Sequence, residues 1–176
     1  MLPYGARDLA NALRTVRKNT IQAASEIPDT QYDFIPAPGV RPVRQLLAHI
    51  ALGDEFARAV HEPRMTTLEG LNFPELMGRV MADEQTPRSK DEILTLLTER
   101  GEGFATWLGG LDDAFLSEHV AMPGGMQPAS KSRFEMLMGV KEHEMHHRAQ
   151  LMLVQRMIGI VPHLTRQMQE RFAARK

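Results

Sequence analysis

Apolar residues return at three- and four-residue steps through four long segments, a pattern that confines the chain to packed helices. In residues 6 to 27 the series is Leu9, Leu13, Val16, Thr20, Ala23, Ala24 and Ile27, and it stops before Pro28. The proline-rich stretch DTQYDFIPAPGVRP then reads as a loop. A second helix is expected from about 42 to 61 through Val43, Leu46, Leu47, Ile50, Ala57 and Val60. Pro42 suits its first turn, where a missing N–H leaves no intrahelical bond unmade. Residues 62 to 87 form a long connection in which FPELMGRVM suggests a short helix.

Ser89 followed by Glu92 is a capping-box spacing that opens a third helix. Ile93, Leu96, Leu97, Phe104, Trp107, Leu108 and Leu111 mark its buried face. Gly101 and Gly103 weaken it locally, and Gly109-Gly110 end it. SEHVAMPGGMQPAS reads as an irregular or hairpin-like connection with PGG as its turn. The fourth helix is expected from near Ser130 to Ile158, with Gly159 as its stop, and Pro162 introduces a charged final helix. No convincing strand pair and no internal repeat accompany these helices, so the expectation is a single all-α domain spanning 1–176.

Composition narrows the chemistry. With 176 residues, 43% hydrophobic and 24% charged, the chain has length and apolar content for a globular core. A net charge of −1 sets up no field toward nucleic acid or an anionic membrane, and neither is expected as a partner. There is no cysteine, which excludes thiolate metal sites and leaves histidine and carboxylate for any metal chemistry; it also fits a reducing cytoplasm. The opening MLPYGARDLANALR has no apolar core before its charges and is not expected to act as a signal peptide. No run approaches the roughly 20 apolar residues of a membrane span. The twelve methionines are scattered and read as adaptable core filler.

The fourth helix carries HEMHH, residues 143 to 147. At about 100° per residue, Met136, Val140, His143, His147, Leu151, Val154 and Ile158 fall in an arc of roughly 80°. His143 and His147 therefore stack one turn apart on the face expected to meet the core, with His146 toward the rim. Imidazoles at this step either converge on a metal or stand as hydrogen-bonded core residues. The stripe itself supplies no partners for their nitrogens.

HEMHH also satisfies the H-E-x-x-H pattern of zinc proteases, but RAQLMLVQRMIGI follows without the glycine turn or the further histidine. Glu170 stands at a conceivable spacing, yet beyond Pro162. The better third candidate is upstream. His49 sits on the apolar edge of the second helix, within roughly 40° of Gly53, Phe56 and Val60. With His143 and His147 it would make a three-nitrogen set with open positions, the form of a catalytic centre.

Two stretches, YDFIPAPGVRPVRQLLAHI at 32 to 50 and HEMHHRAQL at 143 to 151, resemble the DinB/YfiT-like superfamily of metal-binding bundles. The second fits its H-x-x-x-H-R-x-Q signature. The resemblance implies an up-down-down-up four-helix bundle, His49, His143 and His147 as metal ligands, a structural role for Arg148, a matching Gln150, and frequent homodimers. Arg41-Pro42 departs from the small hydroxyl residue often found at the start of the second helix, a difference that bears on capping.

Relatives include thiol-dependent transferases and isomerases. The resemblance thus implies a metal, zinc or nickel in the first place and iron or manganese in the second, which activates water or a low-molecular-weight thiol such as bacillithiol or mycothiol against a small-molecule substrate. The alternatives are a non-catalytic metal-binding or stress-response bundle, or plain core histidines. Glu144 is the catalytic candidate by analogy with HExxH enzymes, but helical phase puts it on the polar flank, as a solvated carboxylate or one that supports the metal ligands from behind. His61, His119 and His163 are expected at the surface. Arg64, Arg79 and Arg88 are read as solvated, with guidance of an anionic substrate as the other possibility.

Overall fold

The computed structural model describes residues 4–174. Its frame is built by α1 (Ala6–Glu26), the broken pair α2 (Val43–Ala51) and α3 (Glu55–His61), α5 (Lys90–Gly109) and α7 (Arg133–Met157). α1 packs against α5 and α7, and α2 against α5, α7 and α4 (Phe73–Glu84). A short α6 (Asp113–Ser117), a hairpin of β1 (His119–Ala121) and β2 (Ser130–Ser132), and α8 (His163–Ala173) complete it. The four-helix bundle expected from the periodicity is present. No helix among the described residues is long and apolar enough to cross a membrane.

Local chemistry sets the helix starts. Ser89 accepts from the Glu92 N–H while the Glu92 carboxylate accepts from the Ser89 N–H, and Ser132 with Glu135 repeats the arrangement. The Ser132 cap places the start of the fourth long helix at Arg133, because Ser130–Ser132 pair antiparallel with β1, Val120 facing Lys131. The hairpin is therefore a true strand pair, and residues 66–68 join its edge: Ala121 donates to Thr66 and Leu68 to Ala121. In the connection 62 to 87, Asn72 caps α4 by accepting from Glu75. The second helix is not continuous. It breaks at residues 52–54, where Gly53 donates to Ile50 and Glu55 to Leu52 in tight turns.

The core forms two clusters. One gathers Ile27, Leu46, Leu47, Ile50, Leu97, Leu151 and neighbours; the other gathers Leu9, Leu13, Phe104, Leu108, Leu116 and Leu137. On α1, Arg17 lies between the two sets, and on α7 Glu144 does. The Arg17 Nε sits 2.9 and 3.0 Å from the Glu144 carboxylate oxygens, and its Nη1 and Nη2 donate to the carbonyls of Leu97 and Ile50. Gly101 makes this possible, since a Cβ there would lie 2.7 Å from the Arg17 side chain. Glu144 is 1% exposed, so the expectation of a solvated carboxylate on a polar flank is corrected.

The buried line of α7 runs through Arg133, Leu137, Glu144, Leu151 and Gln155. Of the stripe expected to face the core, Leu151 and Val154 are buried, whereas Met136, Val140, His143 and His147 are half-buried. Met136, Val140 and His143 border a cavity, and Val140 also packs against the second cluster. Two further expectations are corrected. His61 and His163 are buried, the first under Arg133, whose Nη1 lies 3.1 Å from its Nδ1, the second at the start of α8 with Nε2 3.2 Å from Asn19 Oδ1. His119 is exposed, as expected.

Candidate metal centre

Three imidazoles meet where α2 ends and α7 reaches its middle turns. His143 and His147 stand one turn apart with ring centroids 4.5 Å from each other, and His49 faces both at 4.8 and 4.6 Å. The His49 Nε2 is 2.9 Å from the His143 Nε2 and 3.1 Å from the His147 Nε2. These three residues are the group among the described residues whose donor atoms could together hold a metal ion. The break in the second helix belongs to the same construction, because the His143 Nδ1 lies only 2.8 Å from where a Cβ on Gly53 would stand.

The far sides of two rings are held by oxygen. Glu84, the last residue of α4, places Oε1 2.5 Å from the His49 Nδ1, and Arg41 holds the other oxygen at 3.0 Å. Burial pushes the Glu84 carboxyl up, but the hydrogen bond and charge of His49, with Arg41, outweigh it and hold the group below its ordinary range. It is thus an acceptor, and the His49 Nδ1 is the nitrogen that donates. On the other ligand candidate, the Gln150 Oε1 accepts from the His147 Nδ1 at 2.8 Å.

In their neutral forms, the tautomers that these hydrogen bonds select leave Nε2 of His49 and His147 bare. Two lone pairs facing each other at 3.1 Å repel unless a cation lies between them, so this donor set fits a metal ion. The spacing fits as well: at a metal–nitrogen bond of about 2.1 Å, ligands at right angles stand about 3.0 Å apart. Burial, then the neighbouring imidazoles, pushes His143 down to about 4. Burial also lowers His147, against the hydrogen bond it donates to Gln150, which raises it. At neutral pH both rings are uncharged and able to ligate. The His143 Nδ1 is buried without a hydrogen-bond partner.

A cavity of about 580 Å³ opens onto His49 and His143. Phe73, Met77 and Val80 of α4 wall it on one side, and these three lie in phase with Glu84 at steps of four, three and four residues. One face of α4 therefore supplies both a cavity wall and the carboxylate on His49. The other walls come from Phe56, from Met122 and Met126 of the hairpin loop, and from Met136 and Val140 of α7.

The sequence-predicted residues divide cleanly. His49, His143 and His147 are brought together. Glu144 points into the core, and Glu170 lies on exposed α8 outside the cluster. Arg64 pairs with Glu118 and Arg88 with Asp83, Arg79 is exposed, and none of the three borders the cavity. Arg148 is half-buried, its guanidinium directed at the Val16 carbonyl of α1. Glu84, Arg41 and Gly53 escaped sequence reasoning. The shared phase of Phe73, Met77, Val80 and Glu84 was the signal that could have found the first. The departure at Arg41-Pro42 bears on capping, since the second helix starts after Pro42 with no side-chain cap bond, and Arg41 also engages Glu84.

The fold and site define a helical bundle with a three-histidine cluster assembled from two helices. Residues 12–151 match the profile of the DinB superfamily, and the chain belongs to that superfamily. It is similar in structure to YfiT from Bacillus subtilis, described as a probable metal-dependent hydrolase with an unusual four-helix bundle topology. The TM-score is 0.66 at 18% identity, covering 88% of each chain. A DinB-like protein of Bacillus subtilis, YjoA, aligns with a TM-score of 0.62 at 19% identity, over 86% of this chain and 91% of that one. No curated protein matches the sequence.

Proposed function

We propose that this protein is a divalent-metal-dependent hydrolase in which His49, His143 and His147 are the metal ligands. The observation that carries the reading is the convergence of the three imidazoles, the His49 Nε2 lying 2.9 Å from the His143 Nε2 and 3.1 Å from the His147 Nε2, with an oxygen beside the Nδ1 of both His49 and His147. The nitrogen spacings of 2.9 and 3.1 Å suit a single divalent ion, zinc, nickel, iron or manganese, held by the three imidazoles. The description of YfiT as a probable metal-dependent hydrolase supports the same reaction class.

A divalent ion held there supplies Lewis acidity toward water and toward a substrate carbonyl oxygen. The chain's own residues do the rest. Glu84 and Gln150 fix the two rings in the tautomers that present Nε2, and Gly53 leaves room for the His143 ring. The apolar cavity seats the substrate body and limits water around the scissile bond. In hydrolysis the hydroxyl of water goes to the acyl carbon and its proton to the departing oxygen or nitrogen. Glu144 takes no part in this, because both its oxygens accept from Arg17. Transfer of a low-molecular-weight thiol would use the same histidines. Hydrolysis is the preferred reading because the cavity offers no serine, threonine, asparagine, glutamine or arginine to a hydroxyl-rich thiol.

The test is metal analysis of purified protein alongside a His143→Ala/His147→Ala variant, and an ester screen with and without chelator. One metal per chain, lost in the variant, and chelator-sensitive turnover are expected. Unchanged metal content in the variant sinks the ligand assignment. Turnover that ignores chelator sinks the metal-dependent reaction, and bound metal with no turnover on any substrate leaves a non-catalytic metal-binding bundle.

A further inference from the structure

The cavity beside the imidazoles is walled by side chains that the core leaves out. Methionine is ordinarily a frequent core residue, yet among the described residues not one methionine is buried. The expectation that they fill the core holds only in part, at Met138, which packs half-buried against the second cluster, whereas Met77, Met122, Met126 and Met136 turn toward this one space from α4, the hairpin loop and α7. Phe73 and Met126 keep 51% and 52% exposure at its border. Apolar side chains gathered around a concavity in this way mark a binding surface. Thioether chains also have the rotational freedom to fit occupants of differing shape.

Gly139 is an independent observation. It stands inside α7, where glycine is unfavourable, and it lines the cavity. Nothing lies within 4 Å of the position its Cβ would take, so packing does not demand a glycine there. What glycine preserves is the open space.

The polar inventory decides the kind of occupant. Apart from His49 and His143, the charged residues of the lining are Glu55, Glu135, Glu142 and Lys131. Arg100 engages Glu55, and the Ser132 N–H donates to Glu135 at 2.8 Å. Lys131 and Glu142 are exposed and can serve only the rim, so an anionic or hydroxyl-rich body seated deeper, among Met77, Val80, Met136 and Val140, would leave polar groups unmatched. An uncharged apolar body would not.

We propose that the substrate has an uncharged, flexible apolar body, an acyl chain or an arylalkyl group, seated between α4, the hairpin loop and α7, with its hydrolysable bond at the His49–His143 end. This rests on the hydrolase reading above. The volume of about 580 Å³ is that of a small-molecule site.

The test uses the uncharged fluorophore N-phenylnaphthylamine on wild-type protein, with and without metal, and on Gly139→Trp and Met77→Glu. Bound metal per chain is measured on every sample. The first variant fills the cavity and the second puts a carboxylate in its wall. Saturable binding to wild type is expected, weakened at least about tenfold in both variants while their metal content and circular dichroism stay as in wild type. In the series of p-nitrophenyl esters from acetate to octanoate, KM should fall with chain length in wild type and lose that trend in Gly139→Trp. Absence of probe binding to wild type, or wild-type affinity in either variant, overturns the proposal. The metal count reads the hydrolase proposal separately, since a metal-free protein that binds the probe in this pattern defeats only the reaction.

Discussion

The carboxylate of Glu84, at the end of α4, lies 2.5 Å from the His49 Nδ1, so a segment outside the four-helix frame holds the one histidine of the cluster that α7 does not carry. Carboxylates behind ligating imidazoles fix ring orientation and raise basicity, and their loss costs about 10–100-fold in metal affinity. Glu84→Ala is expected to fall in that range, and Arg41→Ala, which frees one carboxylate oxygen only, to fall less. Competition against a chromophoric chelator reads both. Wild-type affinity in Glu84→Ala would remove the carboxylate from the site.

Glu144 has the sequence context of a catalytic base and the surroundings of a structural one. Removing one member of a buried ion pair leaves the other charged and unpaired, at a cost of about 3–5 kcal/mol. Glu144→Ala should therefore lower unfolding free energy by about that much in chemical denaturation, and Arg17→Met/Glu144→Leu by less, because no charge is stranded. Full stability in Glu144→Ala, with turnover lost, would return this residue to the reaction.

Gly53 is expected to matter for metal and not for folding. A Cβ there meets the His143 Nδ1 at 2.8 Å and the Ile50 carbonyl at 3.3 Å, so Gly53→Ala must displace the ring. Metal affinity should drop at least about tenfold, as for other displaced ligands. The thermal midpoint of the metal-free protein should move little by comparison. Equal affinity in Gly53→Ala would mean that His143 tilts without cost.

The helices and the three histidines were legible because each is written locally. Period, capping boxes and the H-x-x-x-H step need no knowledge of distant residues. What was hidden depends on contacts across the chain. Glu144 sits opposite Arg17, 127 positions away, and no pattern within α7 distinguishes that burial from solvation. The phase of α7 is not legible because its buried face carries Arg133, Glu144 and Gln155 while the more apolar Met136 and Val140 border the cavity, so periodicity points toward the cavity. The break at Gly53 is a tertiary accommodation of the His143 ring, invisible in a segment whose apolar pattern continues through it. His61 is buried by Arg133, whose side chain also joins the Glu118 carboxylate and the Met65 carbonyl.

That same burial predicts a pH dependence. Burial first, and the Arg133 charge second, push His61 down to about 4, while an unfolded chain titrates near the ordinary value of about 6.5. The folded state therefore binds the proton less readily. The associated stability is present in full above about pH 6.5, and falls as pH drops toward 4, because the unfolded state is protonated first. The whole loss is at most about 3 kcal/mol. His143 titrates in the same window, so the informative quantity is a difference. In metal-free protein, the gap in unfolding free energy between wild type and His61→Gln should narrow, or reverse, on going from pH 7 to pH 4.5. A gap independent of pH would show that His61 is protonated as easily in the fold as outside it.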